Sequence, residues 1–267
     1  MLLTLVTILI IACLSHHVES AQAQYQIYEQ IGRGSIGRVY RGRRIDDPTQ
    51  TDLAIKIADS DDWQTRREIE FVKQYSMAGR PGQLPGLVVV LDVFAKGLST
   101  YMVMELVPGS TLQSWAMVEG RHDVYGSLVW IVFQMLAVMK QIHEVDYEYG
   151  DLAHLNNFMV DTTDNSLVLL DFGRIARHRS GPNSDLYSIY GLIQRVYDGA
   201  INKLDVRPMS IPEIRLWDKL ADTVKSWRTK MPSCGEAMRN SIFDGVRSRA
   251  IPLRMGPTSF RDLNTTI

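Results

Sequence analysis

The stretch "YGDLAHLNNFMV" (149–160) is followed by "LDFGRIAR" (170–177). Two aspartates, Asp151 and Asp171, and an asparagine, Asn156, stand around two short apolar runs. One reading of this arrangement is that its oxygen donors hold a metal. That reading makes the stretch a metal-assisted phosphoryl-transfer site. Two ordinary loops that begin or end with Asp would read the same over so short a span, so the rest of the chain has to decide.

The chain has 267 residues, 45% hydrophobic and 22% charged, with a formal net charge of −1. This is the composition of a globular protein with enough chain to bury a real core, as one large domain or two lobes. No global field points to nucleic acid or to a membrane surface. The N-terminus differs from the rest. "MLLTLVTILIIACLS" (1–15) has no charged side chain, and "AQA" (21–23) follows as a small-x-small cleavage pattern. Residues 1–23 therefore read as a secretory signal peptide, with Gln24 the new N-terminus. The apolar run of about 13 residues is shorter than the roughly 20 that span a bilayer. The expected location is outside the cell or in the secretory lumen, the alternative being an uncleaved membrane anchor. Only Cys13 and Cys234 occur, so there is no disulfide framework and no cysteine-based metal site. Asn264 opens a sequon, Asn-Thr-Thr, in the polar tail 251–267.

Past the leader, 25–31, 38–44 and 53–58 read as short strands, 65–79 as a helix ended by Gly79 and Pro81, and 87–95 and 99–107 as two more strands. This is a small antiparallel-sheet lobe over 24–108. The remainder, 109–250, is helical apart from a short strand pair at "NFMVD" and "SLVLLD". Its helix over 124–145 carries "LVWIVFQMLAVM" (128–139), and a helix apolar on nearly every side is usually the buried centre of a domain. Further helical patterns fall at 185–199, 212–230 and 233–249.

"IGRGSIGRVYRG" (31–42) fits Gly-x-Gly-x-x-Gly-x-Val. Dinucleotide sites share this spacing but need a strand followed by a helix. Here Val39 and Tyr40 lead into a strand, so the loop suits a flap whose backbone N–H groups close over phosphates. A plain glycine-rich hairpin is the alternative. In "LAIKIA" (53–58) alternation puts Ala54, Lys56 and Ala58 on one face. The small alanines leave room for a flat ligand, and Lys56 is placed to reach phosphates. A solvent-facing lysine is the alternative. The helix at 65–79 offers a carboxylate to hold that lysine. Glu68 extends the apolar stripe of Phe71, Val72 and Tyr75, while Glu70 lies on a polar face, so Glu68 is paired with Lys56.

With these motifs in order, the chain resembles the protein kinase-like superfamily over roughly 25–250. "GRGSIGRV", "AIK", "REIEFV", "MVMELVPG", "GDLAHLNN", "LDFG" and "DLYSIYG" stand in the family's sequence. The resemblance implies an α+β fold with a β-rich N-lobe and an α-rich C-lobe. It also implies ATP and Mg²⁺ as cofactors. Carried over residue by residue, Asp151 orients the acceptor hydroxyl and takes its proton, and Lys56, held by Glu68, binds the α- and β-phosphates. Asn156 and Asp171 ligate Mg²⁺. Ile31, Gly32, Gly34, Gly37, Val39 and Ala54 enclose the nucleotide, and Met104, Glu105 and Val107 form the hinge that meets adenine.

The sequence also departs from the family's pattern. Tyr-Gly-Asp replaces His-Arg-Asp, so control through a phosphorylated activation loop is not expected. Ala153 and Leu155 stand where protein kinases carry a basic residue, with Arg174, Arg177 and His154 as candidate substitutes. Only eleven residues separate Gly173 from Asp185, and Ala-Pro-Glu is missing. The expected function is an ATP-dependent phosphotransferase, a protein kinase first, with an unknown protein or small-molecule acceptor. The alternatives are a small-molecule kinase and a secreted pseudokinase that acts as a binding module.

Overall fold

The computed structural model describes residues 16–19, 23–47, 52–118, 124–152, 154–177, 185–193, 211–230 and 232–247. The expected leader (apart from 16–19 and Ala23), Cys13, Ala153, residues 194–199 and the tail with Asn264 lie outside them. The described residues fall into two compact units. The first takes those of Met1–Gln83 and Val88–Leu106, and the second those of Leu84–Leu87 and Val107–Met255.

The first unit is a six-stranded antiparallel sheet with one helix. Its strands are β1 (His16–Glu19), β2 (Gln24–Arg33), β3 (Gly37–Arg44), β4 (Leu53–Asp59), β5 (Val90–Lys96) and β6 (Ser99–Glu105), in the order β1-β2-β3-β4-β6-β5. The five strands expected from alternation are present. β1 is additional: it falls within the segment read as a leader and pairs with β2 from His16↔Ile27 to Glu19↔Gln24. One face of the sheet buries Tyr25, Ile27, Leu53, Ile55, Val89, Leu91 and Val103. Each such side chain contributes roughly 1.5–3 kcal/mol when fully buried. Tyr25 is the polar exception. Its hydroxyl donates to Asp92 at 3.0 Å, and burial followed by the Asp92 charge pushes the phenol far above its ordinary value.

Helix α1 (Trp63–Tyr75) starts two residues before the expected 65 and stops four before 79. Asp62 caps it, its carboxylate accepting from Gln64 N at 2.6 Å and Thr65 N at 3.0 Å. At the other end Ser76 leaves the helix because its hydroxyl is taken by the Val88 carbonyl, and Met77 then bridges to Val90. The same contacts explain why strand β5 begins at Val90 rather than 87. Val88 and Val89 are occupied by Ser76 and by Glu105, whose Oε1 accepts from Val89 N at 2.9 Å.

The second unit is built around α3 (Val124–Glu144), which follows β7 (Gly109–Thr111) and α2 (Leu112–Val118). Val132, Met135, Leu136, Val138, Met139 and Ile142 of α3 are fully buried, as its continuous apolar run predicts. Among the described residues no helix is long and apolar enough to cross a membrane. After β8 (Tyr147–Glu148) the expected strand pair forms as β9 (Phe158–Asp161) and β10 (Leu167–Leu169), antiparallel from Leu167↔Val160 to Leu169↔Phe158. β7 adds a third strand through Gly109↔Asp161, although Pro108-Gly109 reads as a strand stop. A Cβ on Gly109 would lie 2.0 Å from the Val160 carbonyl oxygen, so only glycine lets the two backbones meet. β11 (Ala176–Arg177) pairs with β8.

Residues 185–193 are helical, and α4 (Ile211–Lys230) matches the expected 212–230 within one residue. The helix expected over 233–249 is instead broken into α5 (Cys234–Met238), a 3₁₀ turn at Ser241–Phe243 and α6 (Asp244–Arg247). Two caps cause the break. Ser233 and Glu236 form a capping box at the start of α5, and the Asn240 side chain accepts from Ile242 N at 3.0 Å, starting a new turn. Cys234 is buried, and burial pushes its thiol up to about 12. At pH 8 about one part in 10⁴ is then thiolate, the reactive form. Iodoacetamide is therefore expected to leave Cys234 unlabelled in the folded protein and to label it in urea, as read by peptide mass spectrometry.

Candidate active site

In the first unit the glycine-rich segment joins β2 to β3 as a hairpin. Gly32 pairs with Val39, and Gly34 N donates to the Gly37 carbonyl at 2.9 Å. A Cβ on Gly37 would approach the Ile57 carbonyl oxygen to 2.7 Å, so the third glycine of the motif is fixed by contact with β4. Ile31 is exposed at the outer end of β2. β4 carries Ala54, Lys56 and Ala58, buried to 7%, 5% and 8% exposure, so the lysine does not point to solvent. Its Nζ lies 2.7 and 2.8 Å from the two oxygens of Glu68, which is 1% exposed on α1. Glu70 is exposed, as its polar face predicts.

Met104 and Glu105 end β6, both buried. The Glu105 N–H is spent on the Val89 carbonyl at 3.0 Å, so a ligand along this edge has to use other backbone groups. Val107, buried, begins the main segment of the second unit.

The second unit holds Asp151 and Asp171. The loop before Asp151 turns at Gly150, whose φ of 74° is left-handed. This is the physical content of glycine in Tyr-Gly-Asp, since that conformation disfavours any residue with a Cβ. The turn aims two successive amides at one carboxylate: Asp185 accepts from Tyr149 N at 2.9 Å and Gly150 N at 2.8 Å. His143 on α3 adds Nε2 at 2.9 Å, and Cys234 Sγ lies 3.5 Å from His143 Nδ1. Neither Asp185, within "DLYSIYG", nor His143 is marked as a site residue by local sequence pattern.

Asp151 gathers three neighbours. His154 Nδ1 is 2.8 Å and Arg174 Nε 3.6 Å from Oδ1, while Asn157 Nδ2 is 2.8 Å from Oδ2. Of the three candidate substitutes for the absent basic residue, His154 and Arg174 reach Asp151. Arg177 instead lies over the Tyr147 ring at 5.6 Å.

The asparagine brought to Asp151 is Asn157, one residue beyond the expected Asn156, which is exposed on the 3₁₀ turn Leu155–Asn157. The turn draws Asn157 N to the His154 carbonyl at 3.0 Å and so carries the side chain inward just before β9. In "NFMVD" the residue directly before the strand is Asn157, whereas counting five from Asp151 gives Asn156. Asp171 follows β10, partly buried, with its Oδ1 accepting from Gly173 N at 2.9 Å, and Phe172 beside it is fully buried.

The donor set fits Mg²⁺ and a nucleotide. Asp171 offers a carboxylate and Asn157 an amide oxygen, both hard ligands. Among the described residues no group of three or more His, Cys, Asp and Glu could hold a metal. A Mg²⁺ site completed by substrate phosphates does not require one.

The protein kinase domain family matches residues 25–191, more than half of the chain. The chain belongs to the protein kinase family. It is 30% identical over 153 residues to the probable serine/threonine-protein kinase zyg-1 of Caenorhabditis briggsae, covering 57% of this chain and 20% of that one. It is 28% identical over 172 residues to the maternal embryonic leucine zipper kinase of Danio rerio, covering 62% and 24%. With the human ribosomal protein S6 kinase alpha-2 it shares 28% over 159 residues, covering 59% and 20%. This kinase chain thus spans about a quarter or less of the length of these three curated relatives. Its β-rich and α-rich units are the two lobes of the kinase fold.

Proposed function

We propose that this chain is an ATP- and Mg²⁺-dependent protein kinase that moves the γ-phosphate of ATP to a serine or threonine hydroxyl. The observation that carries the reading is the buried Lys56–Glu68 pair. Stability alone does not favour it, because apolar residues of similar volume usually serve a core as well or better. A lysine held in this way between small alanines is a preorganised phosphate ligand. Phosphoryl transfer asks the protein mainly for positioning and charge neutralisation.

In this reading Lys56 holds the α- and β-phosphates, and Asp171 with Asn157 would hold Mg²⁺, which when bound would neutralise phosphate charge. Asp151 orients the acceptor hydroxyl and takes its proton as the new O–P bond forms and the bond to the ADP oxygen breaks. His154 and Arg174 add donors beside Asp151, where Ala153 and Leu155 supply none. The serine or threonine acceptor follows the named activity of the zyg-1 relative. One observation favours a small-molecule acceptor instead: eleven residues between Gly173 and Asp185 leave little chain for a peptide platform.

Thermal denaturation tests the reading. A ligand bound only by the folded form at 100 times its Kd adds about 2.7 kcal/mol. For a domain of this size that raises the midpoint by about 5–10 °C. Mg·ATP is expected to give this rise and ATP with EDTA a much smaller one. Equal midpoints with Mg·ATP and with no nucleotide would remove the nucleotide site.

A further inference from the structure

Tyr149 is fully buried, so its hydroxyl has to find a protein partner. That partner is Asn157, whose Nδ2 lies 3.0 Å from the hydroxyl and 2.8 Å from Asp151 Oδ2. The orientation of the amide follows from chemistry. An ionised carboxylate only accepts, so the nitrogen of Asn157 must face Asp151. Its two hydrogens are then divided between Asp151 and the phenol, and the carbonyl oxygen is turned away from both. The phenol oxygen has lone pairs with which to accept this bond. The ring is fixed as well, packing edge-on against Phe158 with centroids 6.1 Å apart.

We propose that Tyr149 is a positioning residue for Asn157: its hydroxyl locks the amide so that the oxygen is presented to the metal, making Asn157, and not Asn156, the second metal ligand. The proposal rests on the phosphotransferase reading above. It assigns the hydroxyl a task distinct from that of the Tyr149 ring, which is packing, and of the Tyr149 amide, which is anchorage on Asp185. Tyr149→Phe keeps the ring and the amide and removes only the lock.

The experiment is calorimetric titration of ATP into the full chain at a series of Mg²⁺ concentrations, beside thermal denaturation without ligand. One lost hydrogen bond predicts that Tyr149→Phe raises the Mg²⁺ needed for half-maximal nucleotide affinity about 3–10-fold. The ligand-free midpoint moves by only a few degrees. Asn157→Ala raises the requirement further, and adding Tyr149→Phe to it has no additional effect, because the residue being positioned is gone. Asn156→Ala leaves the requirement unchanged. A Mg²⁺ requirement that Tyr149→Phe does not move, or additive effects of Tyr149→Phe and Asn157→Ala, would overturn the positioning role while leaving the kinase reading standing. A requirement raised by Asn156→Ala and not by Asn157→Ala would do the same. If the wild-type chain binds nucleotide without any dependence on Mg²⁺, both fall together.

Discussion

Asp151→Asn is expected to lower phosphate transfer by about 10²–10⁴-fold, the range that a positioned general base contributes. The same change should leave Mg·ATP affinity nearly intact. The substitution keeps size and one acceptor oxygen, so Asn157 retains a partner at this position, while the other oxygen becomes a donor. What is lost is the negative charge and the ability to take a proton from the acceptor. Asp171→Ala should differ in kind. On the proposed function it removes a metal ligand, so the Mg²⁺ dependence of nucleotide binding should fall together with turnover. Transfer rates beside metal-titrated binding curves separate the two. Equal losses of affinity in both variants would mean that the two aspartates do not divide the work as argued.

Lys56→Ala is expected to act on stability and function at once. It strands the Glu68 carboxylate, 1% exposed, without its ammonium. Breaking a buried pair by removing one partner typically costs about 3–5 kcal/mol. Nucleotide affinity and turnover should fall as well, because the phosphate ligand is gone. The two effects separate in the double variant Lys56→Met, Glu68→Leu. Replacing both charges by apolar groups of similar volume is usually neutral or stabilising, so urea denaturation should return to the wild-type midpoint or beyond. Turnover should not return. A double variant that regains activity would show that Lys56 does not serve the nucleotide.

The fold was legible where one physical rule dominates. Alternation placed Lys56 on one face with Ala54 and Ala58, and the stripe of Phe71 and Val72 selected Glu68 over Glu70. The continuous apolar run of α3 announced a buried helix. What was not legible depended on single side-chain caps or on contacts distant in sequence. The Ser233 and Asn240 caps broke one expected helix into three short pieces, and Ser76 moved the end of α1 by bonding to Val88.

Among the candidate residues, Asp151, Lys56 and Glu68 stand out through motif and pattern. The contact of Asn157 with Asp151 did not, because a 3₁₀ turn shifts the loop by one residue relative to a count from Asp151. Asp185 was hidden for another reason. Its role is to accept backbone amides from residues 35 and 36 positions away, and such a contact leaves no local trace in sequence. The left-handed Gly150 that makes it possible reads in sequence only as a missing arginine.

The central claim is that this chain transfers phosphate. Its most direct test is incubation of the purified wild-type chain with γ-labelled ATP, Mg²⁺ and a mixed protein acceptor, beside Asp151→Asn and Asp171→Ala, followed by phosphoamino-acid analysis. The account predicts label on serine or threonine for the wild type, at least about 10²-fold above Asp151→Asn. A wild-type chain that binds Mg·ATP yet labels no protein or small-molecule hydroxyl above Asp151→Asn would contradict it.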